Sequence, residues 1–201
     1  MDKPGVFVKI CGLTNAGDAL AALDGGAGAL GFNFVAGSPR YLDPAASPWI
    51  RSLPASVWKV GVFVNERPAR AAEIAHDLGL DIVQLHGEES PADCPRGLRI
   101  WKAVRVDDRF SFTALDAFPA EALLLDGPRG GSGIAFDWRR AQGSPRPIVI
   151  AGGLDASNVA LAIRQLRPWG VDVCSRIESS PGVKDRRLMA DFLHAALSEN
   201  S

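Results

Sequence analysis

Cys11 is the side chain in this chain with the most chemistry to offer for its position. Gly5-Val6-Phe7-Val8-Lys9-Ile10 reads as a short buried strand that breaks at Gly12, and a helix-start signal follows at Thr14-Asn15. Cys11 therefore sits where a strand gives way to a loop. In a parallel α/β protein that is the edge of the sheet where ligands bind. A thiol there can serve as acid, base or nucleophile. The plain alternative is a small buried hydrophobe, the usual state of a free cysteine. Other polar groups end apolar runs in the same way: Asn33, Asn65, His86, Asp126, Gly152-Gly153 and Ser175. Singly, each has an ordinary explanation. The asparagines form turns, His86 is a hydrogen-bonded structural histidine, and Asp126 caps the loop behind it. Collectively they would converge on one mouth.

The glycines point to a phosphate. Ala151-Gly152-Gly153-Leu154 follows one apolar run, and Ser175-Arg176-Ile177 lies just beyond the next. In α/β barrels the loops after strands seven and eight often hold a phosphate on backbone N–H groups and a helix N-terminus. Glycine lets the backbone come close. Gly130-Gly131-Ser132-Gly133 reads either as a second anion cradle or as a lid over Asp126.

These groups need a scaffold, and the chain supplies a regular one. Apolar runs predict strands over 5–10, 29–34, 59–64, 82–85, 99–104, 122–125, 148–150 and 171–173. Helical segments are expected between them, over 15–24, 43–53, 69–78, 90–93, 110–118, 137–141, 155–166 and 185–197. That is eight strand–helix units of about 25 residues each. The runs are continuously apolar, as when both faces of a sheet are covered. No linker divides the chain, so the reading is a single-domain (β/α)8 barrel over residues 1–201. A doubly wound open sheet is the alternative, because strand order alone does not fix closure.

Composition narrows the function classes. Hydrophobic residues make up 47% and charged residues 22%, an ordinary globular balance. The net charge of −1 argues against a nucleic-acid or membrane-surface partner, although one small anionic ligand fits. Three cysteines without C-x-x-C spacing fit a reducing compartment, and no zinc pattern joins them to His76, His86 or His194. With no apolar leader or membrane-length run, the expected location is the cytoplasm.

With these motifs in order, the chain resembles the phosphoribosylanthranilate isomerases, barrel enzymes of tryptophan biosynthesis. The matching stretches are Lys9-Ile10-Cys11-Gly12-Leu13-Thr14, Gly31-Phe32-Asn33-Phe34 with Ser38-Pro39-Arg40, and Val60-Gly61-Val62-Phe63-Val64-Asn65. They continue through Gln84-Leu85-His86-Gly87, Leu124-Leu125-Asp126 with the 130–133 loop, Ala151-Gly152-Gly153-Leu154, and Pro181-Gly182-Val183-Lys184-Asp185. The resemblance implies an Amadori rearrangement of an aminoaldose to an aminoketose by two proton transfers, with no cofactor and no metal. It assigns the general acid to Asp126 and the general base to Cys11. It makes Arg40 the ligand of the substrate carboxylate, and it leaves His86, Gly152, Gly153, Ser175 and Arg176 to bind substrate. The implied assembly is a monomer or homodimer.

One departure stands out. The family pattern after strand eight is Ser-Ser-Gly-Val-Glu, and here it reads Cys174-Ser175-Arg176-Ile177-Glu178. If position 176 needs a positive φ, arginine costs about 1 kcal/mol there. Two other classes stay open on sequence. One is a related phosphoribosyl isomerase or a sister barrel with strand-end lysines, for which Lys102 is the candidate. The other is a non-catalytic phospho-ligand-binding barrel.

Overall fold

The computed structural model describes residues 5–127 and 137–200. The Gly130–Gly133 stretch, read as cradle or lid, lies outside the described residues. Eight parallel strands close into a barrel: β1 (Phe7–Ile10), β2 (Ala29–Asn33), β3 (Trp58–Phe63), β4 (Ile82–Leu85), β5 (Arg99–Arg105), β6 (Ala122–Asp126), β7 (Ile148–Ile150) and β8 (Gly170–Val173). Closure is explicit, since β8 pairs with β1 in the register Phe7 to Gly170 and Ile10 to Val173. The open-sheet alternative is thereby removed.

Strand alternation sorts the apolar residues into two cores. Phe7, Val60, Ile82, Trp101, Ala122, Leu124 and Val149 fill the barrel interior. Their neighbours Val8, Leu123, Leu125 and Ile150 face outward into the layer beneath the helices. At the amino-terminal end of the barrel the interior is aromatic. The Phe7 ring lies 5.3 Å from Trp58 and 4.9 Å from Trp169, both edge-on. A side chain at Gly170 would run into that ring.

Four α-helices are present among the described residues. They are α1 (Ala16–Asp24), α2 (Pro68–Leu78), α3 (Val159–Leu166) and α4 (Arg186–Leu197). Asn15 caps α1 by accepting from the Asp18 N–H, and Asp185 caps α4 by accepting from those of Arg187 and Leu188. Gly79 ends α2 in the left-handed conformation.

The structure corrects three helix expectations. The 43–53 segment is two 3-10 pieces, Pro44–Ala46 and Pro48–Ser52. Pro48 has no N–H to donate, and its ring would clash with the carbonyl four residues back, so one helix cannot run through it. Of 110–118, only Phe112–Leu115 is helical, again as 3-10. α3 begins four residues after Asp155. The Asp155 carboxylate instead accepts from the Ser157 N–H and hydroxyl, closing a local turn that competes with helix. Beyond β8 a small hairpin, β9 (Glu178–Ser180) with β10 (Val183–Lys184), occupies a segment that carried no strand signal.

Candidate active site

At the carboxyl ends of the strands lies a cavity of about 170 Å³, lined by Cys11, Arg40, His86, Asp126, Gly152, Gly153, Ser175 and Arg176 among others. Every residue given a catalytic or binding role from the sequence therefore reaches one mouth, whereas Asn65, expected at the same mouth, lines a neighbouring hollow. A larger hollow of about 640 Å³ adjoins it on the β4–β5 side and shares His86. Cys11 and Asp126, the expected base and acid, line the smaller cavity and not the larger.

Cys11 continues β1, its N–H donating to the Val173 carbonyl at 2.9 Å. Gly31 on β2 makes room for it, since a Cβ there would lie 2.9 Å from the Cys11 sulfur. One interior step below, Lys9 and Asp172 form a fully buried pair, Nζ to Oδ1 at 2.6 Å. Burial pushes the Asp172 carboxyl up to about 6 against the pull of Lys9. Burial opposes the Lys9 charge, but Asp172 and Cys11 together outweigh it and hold the ammonium above its ordinary value. The Cys11 thiol is held well below the ordinary thiol range. A hydrogen bond from Cys174 contributes most, burial opposes it, and the Lys9 charge adds to the lowering. Cys174 moves the opposite way, raised by that same hydrogen bond and by burial. The Lys9 charge thus favours the thiolate form of Cys11.

Asp126 ends β6 and is buried. Its Oδ1 accepts from the Gly127 N–H at 2.8 Å, and its Oδ2 lies 3.6 Å from His86 Nε2. The Gln84 amide nitrogen stands 3.1 Å from His86 Nδ1. The Gln84 amide and the Asp126 carboxylate hold the imidazole from two sides. The acid candidate is thus flanked by an oriented imidazole rather than by an apolar wall.

The glycine loop after β7 touches the same carboxyl. Gly152 and Gly153 have φ of 79° and 68°, so both lie in the left-handed region. A Cβ on Gly152 would also clash with the Gly127 N–H and lie 2.6 Å from Asp126 Oδ1. Position 152 therefore needs glycine twice over. Asn158 clamps the loop, its side-chain NH2 donating to the Gly153 carbonyl and its Oδ1 accepting from the Asp155 N–H, both at 2.9 Å. After β8, Ser175–Ile177 forms a 3-10 turn. Among the described residues the non-glycine positions with positive φ are Asn65 and Arg167. Arg176 is not one of them, so the strain considered for arginine does not arise.

Residues 8–195 match the family model of N-(5'-phosphoribosyl)anthranilate (PRA) isomerase. The chain belongs to that family. A curated relative from Solibacter usitatus, named N-(5'-phosphoribosyl)anthranilate isomerase, is 54% identical over 95% of this chain and 97% of its own. The crystal structure of phosphoribosyl anthranilate isomerase from Thermus thermophilus superimposes with a TM-score of 0.89 at 36% identity, covering 96% of this chain and 99% of that one. A phosphoribosyl anthranilate isomerase in complex with reduced 1-(o-carboxyphenylamino)-1-deoxyribulose 5-phosphate gives 0.86 at 39% identity, with the same coverage.

Within this isomerase fold, Arg40 already has a carboxylate partner. Its Nε and Nη2 donate to Glu178 at 2.9 and 2.6 Å. Glu178 also takes the Lys184 ammonium at 2.9 Å. Burial would raise the Glu178 carboxyl, but Arg40 and Lys184 hold it below the usual range. A guanidinium has a second edge, formed by its two Nη groups, for another carboxylate. Glu178 thus fixes Arg40 in place at the rim.

Some strand-end residues do other work. Asn33 lines the cavity, but its side chain closes the loop behind it, accepting from Val35 N–H and donating to Ser38 Oγ. Asn65 takes a φ of 51° and accepts from the Glu88 N–H, as a turn former does. Lys102 lines the adjoining larger hollow and not the cavity of Cys11 and Asp126, paired with Glu89 at 2.7 Å and with the Gly87 carbonyl at 2.6 Å. The strand-end lysine therefore shares no cavity with Cys11 and Asp126. Sequence reasoning gave no role to Lys9, Asp172, Glu178, Lys184 or Asn158, although Lys9, Lys184 and Asn158 lie in stretches that match the family. The first two left a signal, a lone charge of opposite sign inside each of two apolar strands. Pairing them requires knowing that the first and last strands meet.

Proposed function

We propose that Cys11 and Asp126 carry the Amadori rearrangement of N-(5-phosphoribosyl)anthranilate to 1-(2-carboxyphenylamino)-1-deoxyribulose 5-phosphate, a step of tryptophan biosynthesis. The observation that carries this reading is placement. A thiol that follows β1 and a carboxyl that ends β6 line one cavity, and the loops of β7 and β8 fill the arc between them. Asp126 protonates the ribose ring oxygen, the C1–O bond breaks, and the open chain becomes an iminium. The iminium acidifies C2, so the Cys11 thiolate can take its proton near neutral pH. The resulting enolamine tautomerises to the ketone. Both transfers move protons only, so the cycle calls for no cofactor and no metal.

The backbone N–H groups of Gly152, Gly153, Ser175 and Arg176 hold the phosphate, while the Arg176 side chain turns to water at the rim. The open edge of Arg40 takes the anthranilate carboxylate, and His86 borders the ring-opening end beside Asp126. Chain 1–201 acts as one barrel domain, as a monomer or homodimer. No helix among the described residues is long and apolar enough to cross a membrane. Free cysteines and a near-neutral charge support a cytoplasmic enzyme with a small-molecule partner and no nucleic acid. A non-catalytic phosphate-binding barrel would have no use for a lowered thiol opposite a carboxyl. The test generates phosphoribosylanthranilate in situ and follows its fluorescence. The signal should decay on adding the protein, and a signal no faster to fade than in buffer rejects the assignment.

A further inference from the structure

The proposed mechanism uses one of the two sulfurs at the mouth and leaves Cys174 without a task. Cys11 and Cys174 are neighbours by construction. β1 and β8 pair in parallel with Ile10 opposite Val173, and the Cys11 N–H bonds the Val173 carbonyl, so the next residue on each strand stands abreast of the other. Paired strands run about 4.8 Å apart, inside the 4.4–6.8 Å Cα window that a disulfide tolerates. Both side chains face the cavity. The Cys174 sulfur lies over the Cys11–Gly12 link, where a Cβ on Gly12 would approach it to 2.8 Å. Gly12 is thus the opening that lets the second sulfur reach the first.

The surroundings suit thiol chemistry. Lys9 sits beneath Cys11, and Lys184 Nζ lies 3.8 Å from Cys174 Sγ. Cations of this kind favour thiolates, and both residues are half-buried and line the cavity. The third cysteine, Cys94, is buried in the outer layer beneath the helices and takes no part.

We propose that Cys11 and Cys174 form a site of reversible oxidative modification, closing to an internal disulfide when a hydroperoxide enters the cavity. The Cys11 thiolate attacks the peroxide, the O–O bond breaks, and Cys11 becomes a sulfenic acid as hydroxide leaves. Cys174, giving up its proton, then attacks the Cys11 sulfur. The S–S bond forms, the S–O bond breaks, and water departs. Overall two thiols lose two electrons and two protons, and one hydrogen peroxide is reduced to two waters (an organic hydroperoxide would instead release its alcohol and one water). A dithiol reductant reverses the change by exchange. The disulfide removes the sulfur that the proposed mechanism needs as base, so the activity readout rests on that mechanism and the crosslink does not.

The experiment treats the full chain with hydrogen peroxide, blocks residual thiols, digests without reduction and maps the peptides by mass. The expected result is a Cys11–Cys174 crosslink, with two of the three titratable thiols lost and Cys94 recovered free. Isomerase activity should fall in step with crosslinking and return with dithiothreitol. Cys174→Ser, compared with its own untreated activity, should form no crosslink and should pass to Cys11 sulfinic acid, a loss that dithiothreitol does not restore. Recovery of uncrosslinked, over-oxidised Cys11 from the unsubstituted protein overturns the inference, as does a crosslink through Cys94. A crosslink that forms while activity survives upholds the modification site and instead removes Cys11 from the role of base.

Discussion

The two ends of the barrel are built from the same strands and do opposite things. Along β1 the interior residues are Phe7 and Lys9, then Cys11 beyond its end. Along β8 they are Gly170 and Asp172, then Cys174. Each step of two residues rises one layer. The lowest layer is aromatic and closed, with Trp58, Trp101 and Trp169 around Phe7. The middle layer holds one buried ion pair. The top layer is an open mouth of sulfur, carboxyl and backbone N–H. The grading teaches where each kind of free energy resides. Stability is concentrated where water is absent, and reactivity where a charge pair one layer down can act on a thiol that a ligand can reach.

The contrast can be broken most sharply at the top. Cys11→Ser and Asp126→Asn should each lower kcat by roughly a hundredfold or more, the low end for losing a general base or acid. Denaturation midpoints should barely move, because asparagine can still accept from the Gly127 N–H. Steady-state kinetics beside urea titrations would check this, and near-native turnover in either variant would reassign the roles. At the bottom the pattern should invert. Phe7→Ala should cost about 3–5 kcal/mol of stability, the usual range for a buried phenylalanine. Turnover per folded molecule should stay close to that of the parent. A kcat loss matching that of Cys11→Ser would show that the two ends are not separable.

The middle layer links them, and pH reads the link. The Lys9 charge is one cause of the lowered Cys11 thiol. A lowered thiol keeps its thiolate to lower pH, so the acid limb of kcat/KM should lie below the ordinary thiol value of about 8.5. Lys9→Met removes the favourable charge, which raises the thiol, so the limb should move to higher pH. Profiles of the two proteins on folded material would decide it. A limb that stays in place, or moves down, would mean that Lys9 serves packing alone.

How much of this was legible depended on the range of each interaction. The strands were legible because each is a local apolar run, and Ile82–Leu85 and Ile148–Ile150 match their runs to the residue. Cys11, Asp126 and the glycine pair were legible because they follow such runs directly. The 43–53 helix failed on a local conflict, Pro48 inside a helical pattern. The α3 start failed because the Asp155 carboxylate had a nearer donor in Ser157. The Lys9–Asp172 and Arg40–Glu178 pairs span 163 and 138 residues and exist only once the barrel closes. Arg40 illustrates the limit well. Its position at the rim was readable from its motif, but its engagement with Glu178 was not, since the β9–β10 hairpin that presents Glu178 carried no strand signal.

The smallest effect expected is at Arg176, where the phosphate loop departs from its family. Its backbone lies outside the left-handed region, so it can present its N–H as any residue would. The side chain is exposed at the rim of the cavity. Gly152 and Gly153 already bring backbone to the inner side of the proposed phosphate site, which leaves the guanidinium the outer, water-facing side. A charge interaction there is weakened by solvent and by salt. Arg176→Gly should therefore raise KM only a few-fold and leave kcat unchanged, because the N–H that binds is kept. The KM of both proteins should respond to salt in much the same way. If the guanidinium instead pairs closely with the phosphate, the variant should lose affinity by about tenfold or more, the scale of a charge-assisted bond, and the parent's advantage should shrink as salt is added. Measuring KM for both at low and high ionic strength separates these outcomes, and a large, salt-sensitive loss would move Arg176 from the rim into the phosphate's own coordination.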